Sequence, residues 1–304
     1  MEFSAADSLG SLPPDRIAKY LEEIGDVARA NALVESAVQG QNIVRPGAPF
    51  NATGLQIGFI ASNDAEGVKP IIGAAQISPA PELIGTQIKI SFNRAFVYEY
   101  PGLGAHSILC EFVGRNQIDG EKEALRMALR FKSRDGTLAS VVGVPIFLGL
   151  TVGENGIEFE GRTVNVGSST DEALLGALDS EAFKNGLALV NNLQPGLKPF
   201  VSLMQCAVKG VANRLRNVQV HHFNLGLDFS ADSIAARLNL GSYVIVQTNE
   251  TQWNWNDFEW DMGSMSVRAK NPSRKIDFNY LVIGISPYTP TPATPAARRR
   301  ISAG

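Results

Sequence analysis

Two cysteines, Cys110 and Cys206, are too few for a disulfide framework, and each sits in an apolar stretch where a thiol packs as a small hydrophobe. Histidine is almost as scarce, with only His106, His221 and His222, and no paired-cysteine spacing accompanies them. A zinc site would need scattered ligands, so no metal and no cofactor is expected. The motifs G-x-S-x-G, Walker A, H-E-x-x-H and the dinucleotide-binding glycine fingerprint are all missing. Charge of either sign is also short. Lys plus Arg number 27 against 30 Asp plus Glu, a net of −3, without the basic stripe that a nucleic-acid partner requires.

Long hydrophobic runs are absent too. The longest, Leu138 to Val152, is interrupted by Gly143, Pro145 and Gly149 and falls short of the roughly 20 residues that span a bilayer, so it reads as strand, bend and strand. The opening MEFSAADSLGSLPPD has no positively charged start followed by an apolar stretch, which gives a cytoplasmic expectation. What is plentiful is core material: 44% of the residues are hydrophobic and 19% are charged.

The clearest helix signal runs from Pro13 to about Gly40, with Ser11 as a cap, prolines in the first turn and Asp15 at the positive end of the dipole. Ile17, Tyr20, Ile24, Val27, Asn31, Val34 and Val38 recur at spacings of three and four, a heptad seam with one polar position. Such a seam suits an oligomer in which Asn31 fixes register. It suits equally a helix laid on its own sheet with Asn31 at the margin, and Gly25 weakens the coiled-coil reading.

After Leu55 short apolar segments alternate with Gly, Pro, Asn and Asp, the signature of antiparallel strands. Asp119-Gly120, Asp135-Gly136 and Asn155-Gly156 predict tight hairpins and hence a meander through Val166. From Ser169 the rhythm becomes helical, with a capping-box start at Ser169, Asp171 and Glu172 and further segments marked by Leu187 and by Leu197 to Leu215. Alternation returns at Val218, where His221, Phe223, Leu225 and Leu227 share one face and His222 takes the other. Two more strands are predicted at Tyr243 to Thr248 and Phe278 to Ser286.

The fold class predicted is therefore α+β: an antiparallel β-sandwich-like core with an N-terminal helix and an inserted helical segment. Its parts are an N-terminal helical segment over 1–45, the sandwich over 46–288 with the insertion at about 169–216, and a flexible Pro/Thr/Ala-rich tail over 289–304 that carries Arg298, Arg299 and Arg300.

The densest unusual stretch is NETQWNWNDFEWD, residues 249–261, which holds all three tryptophans. If extended, it places Trp253, Trp255, Asp257, Glu259 and Asp261 on one side and Phe258 and Trp260 on the other. Aromatic rings flanked by carboxylates suit a sugar, a cationic partner group or a calcium ion; alternatively the rings cover an open end of the sandwich while the acids stay in water. Surface features of this kind, rather than a catalytic set, point to a non-enzymatic module that binds a protein partner or copies of itself. Alternatives are a membrane-active protein whose Gly-rich hairpins rearrange on lipid, and a hydrolase without a familiar motif.

Overall fold

Each tight turn fixes a local reversal, but which sheet receives the next strand is decided by burial. The computed structural model describes residues 3–38, 49–62, 67–115, 124–167, 187–188, 217–230 and 235–289. Two helices, α1 (Pro14–Glu23) and α2 (Val27–Val38), precede β1 (Leu55–Ala61), β2 (Val68–Pro70), β3 (Ile72–Gly73) and β4 (Gln87–Val97). Then come β5 (Ala105–Arg115), β6 (Ala124–Arg134), β7 (Thr137–Leu138), β8 (Val144–Thr151), β9 (Ile157–Val166) and β10 (Leu187–Ala188). The last six strands are β11 (Asn217–Asp228), β12 (Ala236–Arg237), β13 (Gly241–Gln247), β14 (Phe258–Asp261), β15 (Ser266–Ala269) and β16 (Asn279–Pro287).

The fold is α+β and β-sandwich-like, with three stacked sheets. An eight-stranded sheet runs β10-β8-β4-β16-β13-β1-β3, with β7 also on β4; a five-stranded sheet runs β12-β11-β9-β5-β6; a three-stranded sheet runs β15-β14-β2. Among the described residues pairing is antiparallel except where β10 meets β8, where β12 meets β11 and at the isolated bridge of Ser8 with Gln219. The large sheet is the middle layer, and its two central strands are buried on both faces. Tyr243 and Ile245 enter the main core toward the five-stranded sheet, whereas Val244 and Val246 enter a second core beneath the small sheet. Leu281, Ile283 and Ile285 repeat the first pattern, and Tyr280 and Val282 the second. Two-sided burial is why these strands read as nearly continuous apolar runs.

Four expectations from sequence change. The N-terminal helix is two helices: Gly25, at φ +85, closes α1 by bonding Glu22 O, and the next N–H, from Asp26, bonds Leu21 O. This is the left-handed helix stop that glycine permits. The chain re-enters a helix along a new axis, so the seam divides. Ile17 and Tyr20 are buried and Ile24 is half-buried, whereas Val27, Asn31 and Val34 face outward and Ala30 and Leu33 point in instead; the side chain of Val38 lies outside the described set.

The second change concerns Asn155-Gly156, which turns a corner between sheets rather than a hairpin. Here β8 lies on β4 and β9 lies between β5 and β11, and a Cβ on Gly156 would collide with the Leu227 carbonyl oxygen. The third is Leu187, read as helical, which belongs to a two-residue strand on the open edge of β8. The fourth is the stretch before β14, where residues 255–257 form a 3-10 turn, so the tryptophans and acids do not share one alternating strand. By contrast Leu138 to Val152 is strand, bend and strand, both strands pairing with β4. The Asp119-Gly120 turn, the rest of the expected insertion, Cys206 and the tail beyond residue 289 lie outside the described residues. Among the described residues no helix is long and apolar enough to cross a membrane.

Candidate functional site

The tryptophan stretch leaves β13, crosses the open side of the second core and re-enters the fold at β14. Trp253 stacks on Phe258 with ring centres 5.0 Å apart and meets Phe278 edge-on at the same distance. Trp255 lies edge-on to Trp253 at 5.2 Å. It also covers the backbone of Gly58 on β1, where a Cβ would come within 2.9 Å of the indole. Trp260 is buried on β14, across from Val267 and Lys69. The three rings thus form the wall and lid of the second core, and Trp253 and Trp255 keep one partly open edge each.

The acids of this stretch are drawn to two arginines. Arg268 on β15 bonds Glu259 at 2.7 Å and Asp261 at 3.0 Å. Arg274 lies over the Phe258 ring at 4.5 Å, bonds Asp257 at 3.1 Å and approaches Glu250 at 3.7 Å. The Ser264 and Gly263 N–H groups, with Arg268, hold the Asp261 carboxyl below the usual range against a smaller effect of desolvation; the Ser264 bond contributes most. Glu259 and Asp261 therefore face one cation and Asp257 another, rather than converging. Among the described residues no group of three or more His, Cys, Asp or Glu side chains is placed to hold a metal ion.

Over the main core, reached from Trp253 through Phe278 and Asn279, lies a cluster absent from the sequence reading. Asp26, buried where α1 passes into α2, accepts from Arg29 at 2.8 Å and from the Gly102 N–H at 3.1 Å. Arg29 also reaches Glu99 at 2.9 Å, Asp135 at 3.0 Å and the carbonyls of Tyr100 and Gly102. Asp135 takes the Tyr100 N–H at 3.0 Å, and His106 Nε2 lies 2.8 Å from the same carboxylate oxygen. Burial pushes the Asp135 carboxyl up, but His106, Arg29 and the Tyr100 N–H outweigh it and hold it below the usual range. The cluster fastens both helices across the end of the main core. Nothing in the spacing of residues 26, 29, 99, 106 and 135 announces it; the one local sign, Asp135-Gly136, was legible only as a turn.

Cys110 and His221 lie two strands apart, about 10 Å, with Thr163 between them as the cross-strand partner of both. The Thr163 hydroxyl accepts from Tyr100 OH at 2.9 Å and from the His221 N–H at 3.2 Å. Burial pushes the Cys110 thiol up and, with the neighbouring His222 charge, pushes His221 down to about 3. Both groups are neutral at pH 7, the opposite of the thiolate and imidazolium that nucleophilic catalysis uses. His222 takes the other face of β11, near Glu160.

The arrangement as a whole offers structural pairings over both cores and an outward helical face on α2. No protein-family model, curated protein or solved structure matches the chain, so its functional reading rests on these residues alone.

Proposed function

We propose that the chain is a non-enzymatic assembly module that recognises a protein partner or a second copy of itself. One observation carries this reading. The outward side of α2 exposes Val27 at 51% and Val34 at 48% on either side of Asn31, on a helix held in place by Arg29, which bonds the buried Asp26 and also Asp135. A rigid helix that turns branched apolar side chains to solvent is suited to lodging against another surface. The chemistry of the titratable groups agrees. The carboxylates of the tryptophan stretch and of the helical cap are engaged by arginines, and Cys110 and His221 are held neutral.

The direct test is mild crosslinking of the chain in its native cell, followed by purification and mass measurement of the crosslinked particle. A species heavier than the 32.6 kDa chain, lost in the Val27→Asp, Val34→Asp double variant, is the expected result. A particle of monomer mass in the wild type, together with turnover in a broad activity screen, would overturn the reading.

A further inference from the structure

We infer that α2 pairs antiparallel with α2 of a second copy, across a twofold axis that passes close to Asn31. This rests on the assembly reading and names its partner. The helix VARANALVESAV carries two charged residues, Arg29 and Glu35. Arg29 is turned inward and engaged by Asp26, Glu99, Asp135 and two backbone carbonyls. What remains outside is Val27, Ala28, Asn31 and Val34, with Glu35 the single charge. A helix meant to face only water normally places its charged residues there.

The pattern on that face selects the occupant. Val27 precedes Asn31 by one helical turn, and Val34 and Glu35 follow it by one. An antiparallel copy therefore brings each Val27 against the partner's Val34 and sets the two Asn31 amides face to face. An amide is both donor and acceptor, so two of them satisfy each other across a twofold axis, as an isologous contact requires. The same arrangement carries Glu35 toward the positive N-terminal end of the partner's α2. A parallel pairing would oppose Glu35 to Glu35. A foreign partner would find no cation on this face and one carboxylate, a poor basis for discrimination by charge.

A helix of this length spans about 18 Å, so the interface is smaller than the roughly 1,600 Å² of a standard stable complex and the dimer is weak, dissociating on the order of 10–100 μM. The experiment is sedimentation velocity on the purified full chain from about 5 to about 500 μM, a range that brackets this affinity. The wild type should pass from monomer to dimer. The Val27→Asp, Val34→Asp double variant should stay monomeric with an unchanged melting temperature, because both side chains already stand in solvent. Asn31→Cys should form a disulfide-linked dimer on mild oxidation while the wild type does not.

A wild type that remains monomeric throughout overturns the pairing; if the native complex is nevertheless lost in the double variant, α2 serves a different protein and the assembly reading survives. A dimer that persists in the double variant also overturns the pairing, because self-association then uses another face.

Discussion

The two cores of this sandwich are closed by opposite means. Over the main core, the charge that matters is inside: Asp26 is fully buried beneath Arg29, while the more open Asp135 meets the buried His106 at 2.8 Å. Over the second core, ion pairs stay at the surface, where the exposed Arg268 and the half-buried Arg274 meet carboxylates, and the seal is made by Trp253, Trp255, Phe258 and Phe278. The first closure depends on each buried charge keeping its partner, because a carboxylate without one has lost its water with nothing in return. The second depends on ring contact and is nearly indifferent to its ion pairs.

Arg29→Ala should produce the largest effect, about 3–5 kcal/mol of lost folding stability in urea titration, because Asp26 is then left buried and unpaired. A loss under about 1 kcal/mol would show that the helices are not held on the main core by charge.

Trp253→Ala should come next, at about 3 kcal/mol, below the value for a fully enclosed tryptophan because one edge of the ring is open. Thermal melts on the purified variant decide this. A stable variant that fails to bind a partner would instead return the stretch to a contact role. Calcium added to the wild type should leave the melting temperature unchanged, since the three acids do not converge.

Acid should weaken the main core through His221. Its pKa in the folded protein is depressed to about 3, so between that value and the ordinary range of about 6.5 the unfolded chain binds a proton that the folded chain refuses. This contribution is complete above the unfolded value and is lost as pH falls toward the folded one. From pH 7.5 to pH 5 the His221 share should be about 2 kcal/mol, and His221→Gln should remove it from the pH profile of the denaturation midpoint. The depressed Asp135 carboxyl acts in the same direction at lower pH.

The smallest effect is expected for Arg268→Ala, under about 1 kcal/mol, because its bonds to Glu259 and Asp261 are made in solvent. A larger loss would mean that the exterior ion pairs share in closing the second core and would blur the contrast between the two cores.

Much of the architecture was legible where one physical signal dominates. The alternation of β11 and the unbroken apolar runs of β13 and β16 follow directly from burial on one face or on two. The seam from Ile17 to Val34 was visible, but its division was not, because the stop at Gly25 leaves the three-and-four spacing intact while changing the direction of the axis. Asn155-Gly156 announced a reversal but not the change of sheet, since turn chemistry says nothing of the strand that receives the chain. The composition of the tryptophan stretch stood out. Its geometry did not, because the same rings and acids suit a lid as well as a platform. The cluster around Arg29 was invisible, for its members are joined only by the closed fold.

The interior of the large sheet is assembled from segments remote in the chain: β1 pairs with β13, joining Leu55 to Gln247, and β4 pairs with β16, joining Ile90 to Ile285. A ribosome delivers β1 and β4 long before the strands that complete them. Until then their backbone edges stay bare beside side chains such as Phe59, Ile90 and Phe92, ready to pair with any neighbouring chain. A nascent polypeptide, or a fragment that stops short of Asn279, is thus an unfinished template rather than a smaller domain, and solubility during synthesis depends on how soon the last central strand arrives.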